Sequence, residues 1–108
     1  MLFKSETIAA VATALNDSGI GIIRVSGEQS IHIVNKIYRS PGNKNLIDFK
    51  SHTINYGFIY DEDELIDEVM VSIFKINKIF ISGTFINLIY YFNSFIATYS
   101  YNTNTGII

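Results

Sequence analysis

Apolar and polar residues alternate along several segments of the first 75 residues, and such alternation is typical of β-strands. Thr7–Ala12 and Ile20–Ser26 flank a polar loop, whereas Ser51–Tyr60 and Ile66–Phe74 flank an acidic turn. The alanines of the first segment are equally compatible with a helix. Glu28–Tyr38 repeats apolar residues at three- and four-residue spacing, which predicts a helix. This order of elements predicts an α+β fold: a small mixed or antiparallel sheet with one or two helices.

The alternation also assigns side chains to the two faces of a strand. In Ile20–Ser26, Arg24 shares one face with Ile20 and Ile22. In Ser51–Tyr60, one face is mostly apolar and the other is mostly small or polar, so we expect a half-buried strand with its apolar face inward. The apolar face consists of His52, Ile54, Tyr56, Phe58 and Tyr60.

A short polar sequence separates the second strand from the helix. Ser26 lies three residues before Gln29, which is the spacing of a helix capping box, so we expect Ser26 to cap the helix. The loop from Asn16 to Gly19 consists of residues that favour tight turns.

Composition limits the possible chemistry. The chain has 108 residues, a net charge of −2 and no cysteine. These numbers predict one small domain without a disulfide framework, a thiolate metal site or a general attraction to nucleic acid. All Lys and Arg residues lie between Lys4 and Lys78, and all acids lie between Glu6 and Glu68, so the chain is uncharged from residue 79 onward.

Arg24 is the main candidate for a binding residue, because its planar guanidinium suits a carboxylate or a phosphate. The alternatives are a salt bridge to a nearby acid and an arginine that reaches water along its stem. Asp67 and Glu68 are consecutive in a strand and point to opposite faces, so we expect them not to share a site. His32 and His52 are too isolated to predict a metal site, and no catalytic residue is predicted.

Four blocks of sequence resemble one family. Thr7–Ala10, Ser18–Gly27, Ser51–Ile59 and Ile66–Ser72 are similar, in this order, to the N-terminal domain of the MnmE (TrmE) family of tRNA-modification GTPases. The resemblance covers residues 1–75. It implies a fold related to folate-binding one-carbon domains, and it implies that this part of the chain binds 5-formyl-tetrahydrofolate and forms a homodimer. Arg24 matches an arginine that contacts folate in the family.

The resemblance also implies properties of the full-length family. Full-length members are cytoplasmic enzymes that hydrolyse GTP with potassium and magnesium. With the flavoprotein partner MnmG (GidA), they modify the wobble uridine of tRNA. The present sequence contains no Gly-x-x-x-x-Gly-Lys-Ser/Thr run, so we expect no GTPase activity from these residues and no catalysis by this chain alone.

Residues 76–108 do not resemble the family. They are rich in Ile, Phe, Tyr and Asn, which have A/T-rich codons, so we interpret them as the product of a shifted reading frame or a damaged gene. We therefore divide the chain into a family-like domain, residues 1–75, and an apolar tail, residues 76–108. Two alternatives are a small membrane-associated protein anchored by residues 79–97 and a nonfunctional gene remnant. The breaks in the apolar run favour strands or irregular packing over a membrane helix, so we expect no membrane partner.

Overall fold

A single sheet organises the chain. The computed structural model describes residues 7–12, 19–76, 78–84, 87–95 and 106–107. The strands of the sheet are β1 (Ile8–Val11), β2 (Ile20–Ser26), β3 (Tyr38–Arg39), β4 (Thr53–Asp61), β5 (Glu64–Phe74), β6 (Lys78–Thr84) and β7 (Gly106–Ile107). Helix α1 (Ser30–Asn35) follows β2, a 3₁₀ turn (Leu46–Asp48) precedes β4, and a second helix, α2, covers residues 87–95.

The strands lie in the order β3-β4-β5-β6-β2-β1-β7. Every pair is antiparallel except β1 and β7, which are parallel. The sheet is therefore mixed, and the predicted α+β class with a small sheet and two helices is confirmed. Strand β6 lies in the middle of the sheet, where it pairs with β5 on one side and with β2 on the other.

The core lies on one face of this sheet. Alternate residues of β2, β5 and β6 are buried there together with residues of α1 and α2. The fully buried members include Val25, Val71, Ile79 and Ile81 from the strands and Leu88 from α2. We call this side the covered face and the opposite side the open face.

Strand β2 confirms its prediction both in its bounds and in its faces. Ile23 and Val25 are buried on the covered face, whereas Ile20 and Arg24 are exposed on the open face. For β4 the predicted orientation was wrong. Its covered side carries Gly57 and Ile59, and the apolar side with Ile54 is exposed. Alternation separates two faces, but the positions of the helices decide which face is covered.

The helix after β2 is shorter than predicted, and Ser26 does not cap it. Ser26 is the last residue of β2, and Gln29 precedes the helix without a side-chain cap. The Gln29 amide instead donates to Thr7 Oγ1 at 3.1 Å. The chain leaves the helix before Tyr38, because Tyr38 is buried and pairs with Ile59 of β4.

The remaining predictions concern the polar loop and the tail. Most of the Asn16–Gly19 turn lies outside the described residues. The boundary at residue 75 falls in the turn between β5 and β6, and the division into two parts stays a prediction. Beyond it, residues 78–84 form the strand β6 and residues 87–95 are helical. Among the described residues, no helix is long and apolar enough to cross a membrane.

Candidate functional site

Arg24 lies in the middle of the open face. It is exposed, and the strand register places it directly opposite Phe80 of β6. Among the described residues, the one ion pair within 4 Å joins Arg39 and Asp63. Of the two alternatives considered for Arg24, a salt bridge is therefore not observed within this part of the chain. An exposed guanidinium beside an aromatic ring can hold an anion that carries a flat ring.

Arg39 provides a useful contrast, because it is engaged within the fold. Its guanidinium lies 4.0 Å from the centre of the Tyr60 ring and donates to the carbonyl oxygen of Glu62. The Asp63 carboxylate lies 3.9 Å away. Arg39 thus joins the edge strand β3 to the β4–β5 turn, and we assign it a structural role.

A cavity of about 340 Å³ opens beside Ile22 and Met70, at the end of the open face nearer the β4–β5 turn. Its lining combines apolar side chains with polar groups and carboxylates. The lining residues are Gly19, Ile20, Asp67, Glu68, Met70, Ser82, Gly83 and Thr84. The strand register places the lining residues of β2 and β6 two to four residue pairs from Arg24, so a ligand of moderate length can contact both the cavity and Arg24.

The cavity exists because β5 and β6 stop pairing there. Their ladder ends at Met70 and Ser82. Beyond this pair, the Asp67 carboxylate replaces a backbone acceptor: its Oδ2 accepts the Thr84 amide at 2.6 Å, and its Oδ1 accepts the Glu68 amide at 2.9 Å. Gly83 makes room for this carboxylate, since a Cβ at Gly83 would lie 2.5 Å from Asp67 Oδ2.

Asp67 and Glu68 lie on opposite faces of β5, as the sequence predicts, although both border this cavity. Asp67 is buried and Glu68 is exposed, as alternation requires, yet both line the same cavity. The cavity lies at the point where the β5–β6 ladder ends and Gly83 has no side chain, so it reaches residues of both faces. One carboxylate is held by two amides, and the other can contact a ligand.

Glu68 also acts on Tyr56, a neighbour on the open face. Partial burial, and then the charge of Glu68 and a hydrogen bond to its carboxylate, raise the pKa of the Tyr56 phenol. Tyr56 therefore remains a neutral donor across the physiological range.

The rest of the open face is largely apolar. Ile54 is 66% exposed, Ile20 is 62% exposed, Tyr56 is 45% exposed and Met70 is 41% exposed. An exposed apolar surface of this kind typically marks a binding or association surface. Phe80 and Lys78 complete this face. Their position could not be predicted from local pattern, because the pairing of β6 with β2 joins segments more than 50 residues apart.

The two histidines lie away from Arg24. His32 is exposed on α1, on the covered side of the sheet. His52 is in the left-handed region with φ of 64°, and its ring lies 5.2 Å from the ring of Phe74. In the described ranges, no group of three or more His, Asp and Glu residues could hold a metal ion.

Comparison with known proteins places this geometry in a family. The family described as "GTP-binding protein TrmE N-terminus" matches residues 7–98. The match extends beyond residue 75, so it includes β6 and the described part of α2.

Individual relatives match a shorter stretch. The chain is 48% identical over 73 residues to the tRNA modification GTPase MnmE of Lachnoclostridium phytofermentans, which covers 67% of this chain and 16% of that protein. It is 49% identical over 77 residues to MnmE of Enterococcus faecalis, with 69% of this chain and 16% of that protein covered. The chain thus spans about one sixth of the length of these relatives. Since the family match covers most of its residues, we conclude that this chain belongs to the family of TrmE (MnmE) N-terminal domains.

Proposed function

We propose that this chain provides the folate-binding and dimerising function of an MnmE-like tRNA-modification GTPase. The ligand is 5-formyl-tetrahydrofolate, and Arg24 binds it. The observation that carries this proposal is an exposed arginine, without an acidic partner among the described residues, between an aromatic ring and a cavity that is lined by carboxylates.

The residues present suit the two ends of a folate. The pteridine ring carries N–H donors at its edge, and Glu68 offers an acceptor at the cavity rim. The glutamate end carries carboxylates, which Arg24 can bind through two parallel hydrogen bonds. Ile22 and Met70 lie on the open face between these two groups and provide an apolar surface for the central ring.

A direct titration tests the role of Arg24. A hydrogen bond to a charged group contributes about 1.5–3 kcal/mol, so Arg24→Ala should weaken binding of 5-formyl-tetrahydrofolate by roughly tenfold or more. Arg39→Ala is the matched control, because it removes the same charge from an arginine that contacts Tyr60 and Asp63. Equal affinities of the wild type and the Arg24 variant would show that the site assignment is wrong.

Dimerisation is proposed through the open face. Ile54 and Met70 are exposed there, and burial against a second copy would remove this apolar surface from water. Ile54→Glu should therefore lower the dimer fraction in sedimentation experiments, and Ile54 has no role in the proposed folate site. Tyr90→Glu is the control, because Tyr90 is 74% exposed on α2. A dimer that tolerates Ile54→Glu but not Tyr90→Glu would place the interface elsewhere.

The remaining properties of the family belong to the full-length protein. We propose that its GTPase activity, with potassium and magnesium, is carried by residues other than these. We also propose a cytoplasmic location, and an assembly with the flavoprotein MnmG (GidA) that acts on tRNA. The contribution of the present residues is to hold the folate and a second copy.

A further inference from the structure

Charged residues are sorted along the strands of the open face. The end near the β4–β5 turn carries Asp61, Glu62, Asp63, Glu64 and Glu68. Lys78 lies at the opposite end, Lys50 and Lys75 lie just outside the strands there, and Arg24 lies between the two ends. The acids of the β4–β5 turn therefore favour a ligand whose anionic end points away from them, toward Lys78.

Arg24 and Lys78 form a pair of neighbouring cations. Arg24 is opposite Phe80, and Lys78 precedes Phe80 by two residues, so the two residues are diagonal neighbours whose Cβ atoms lie about 7 Å apart. Both are exposed, and neither takes part in an ion pair within the described residues. Lys75 is less available, because its Nζ donates to the Ile47 carbonyl oxygen at 2.9 Å.

The line from Arg24 to Lys78 continues the long axis of the proposed folate site. Lys78 pairs with Phe74 of β5, and Phe74 lies six residues after Glu68 on that strand, which corresponds to about 20 Å. A folate with its pteridine ring in the cavity and its glutamate at Arg24 occupies most of this length. Lys78 then lies beyond the first glutamate, where a folate with a single glutamate has no further charge.

We propose that this site prefers polyglutamylated folates, with the first glutamate on Arg24 and the second on Lys78. The inference rests on the proposed folate-binding function. Successive γ-linked glutamates have their α-carbons separated by five bonds, which extend to about 6 Å. This spacing is close to that of the two strand positions, and the long side chains of Arg24 and Lys78 can adjust to the remainder. The largest gain in affinity is expected on addition of the second glutamate. A third glutamate should add less, because Lys75 already donates to the Ile47 carbonyl oxygen.

The test compares mono-, di- and triglutamyl forms of 5-formyl-tetrahydrofolate by calorimetric titration of the full 108-residue chain. An exposed ion pair corresponds to about a two- to fivefold change in affinity, so the diglutamate should bind about two- to fivefold more tightly than the monoglutamate. The gain should shrink between roughly 0.05 M and 0.5 M salt. Lys78→Gln should abolish the gain and leave the monoglutamate affinity unchanged.

Lys36→Gln is the matched control, because it removes the same charge at the end of α1, away from the open face. Circular dichroism confirms that each variant is folded. Equal binding of the mono- and diglutamate by the wild type overturns the inference but leaves the folate site intact. A loss of the gain in Lys36→Gln, or a loss of monoglutamate binding in Lys78→Gln, also overturns it. If no folate form binds, both the inference and the proposed function are refuted.

Discussion

The contact between Gly83 and Asp67 allows a quantitative test of the fold beside the candidate site. An alanine Cβ at position 83 would lie 2.5 Å from Asp67 Oδ2 and 3.0 Å from Val69 Cγ1. The first distance forces the carboxylate to move, yet two amides hold it. Overpacking of this kind costs about 1–3 kcal/mol, so we expect Gly83→Ala to lower the free energy of unfolding by this amount.

A double-mutant cycle separates the clash from other effects of the substitution. Asp67→Ala removes the acceptor of the Thr84 amide and should itself cost about 1–3 kcal/mol. In the Asp67→Ala background, Gly83→Ala no longer meets a carboxylate, and only the contact with Val69 remains. We expect its cost to fall below about 1 kcal/mol, which gives a coupling of roughly 1–2 kcal/mol between the two sites.

Urea unfolding followed by far-ultraviolet circular dichroism measures each corner of the cycle, since the chain has no tryptophan. Thermal unfolding gives an independent value, because 1 kcal/mol shifts the midpoint by about 4–8 °C in a domain of this size. Additive effects of the two substitutions would refute the reasoning. They would mean that the carboxylate does not occupy the space beside Gly83.

Three further predictions follow from the fold. Ile81→Ala in the centre of the sheet should cost about 2–5 kcal/mol in urea unfolding, whereas Ile76→Ala, at a position that is 69% exposed, should cost almost nothing; equal costs would contradict the central place of β6. A chain that ends at Lys75 lacks β6 and should show no cooperative unfolding by circular dichroism, because β5 and β2 then have no common neighbour; a cooperative transition would contradict this. Burial, and then the charge of Asp61, raise the pKa of Tyr91 to about 12 in the folded chain. In the unfolded chain a phenol has a pKa near 10, so as the pH rises the unfolded chain loses this proton at a lower pH than the folded chain does. Stability should therefore fall between about pH 10 and pH 12, and Tyr91→Phe should reduce this slope in unfolding experiments at several pH values.

The sequence predicted those parts of the fold in which local pattern and tertiary environment agree. Strand β2 has its predicted bounds, and Arg24 lies on the predicted face. Strand β4 has nearly its predicted bounds, but Tyr56 and its apolar neighbours point outward. Their outward position follows from the placement of α1 and α2 on the other face, which no pattern within β4 encodes.

The candidate site was predicted only at Arg24. Phe80 enters the site through the pairing of β6 with β2, and the same pairing places Lys78 beyond the site. Asp67 borders the cavity because the β5–β6 ladder ends there. Both features depend on register between segments that are distant in sequence. The prediction that Ser26 caps the helix was wrong because Ser26 is the last residue of β2, where it pairs with Lys78 of β6. This pairing, too, depends on a segment that is distant in sequence.

The central position of β6 has a consequence for synthesis on the ribosome. Strands β2, β4 and β5 emerge first, but the strand that joins them emerges later. Until residue 84 has left the exit tunnel, the inner edges of β2 and β5 lack their common neighbour and can pair with other chains. Chaperone demand should thus be greatest during translation of the uncharged final 30 residues, and a pause in that stretch would prolong exposure of both edges.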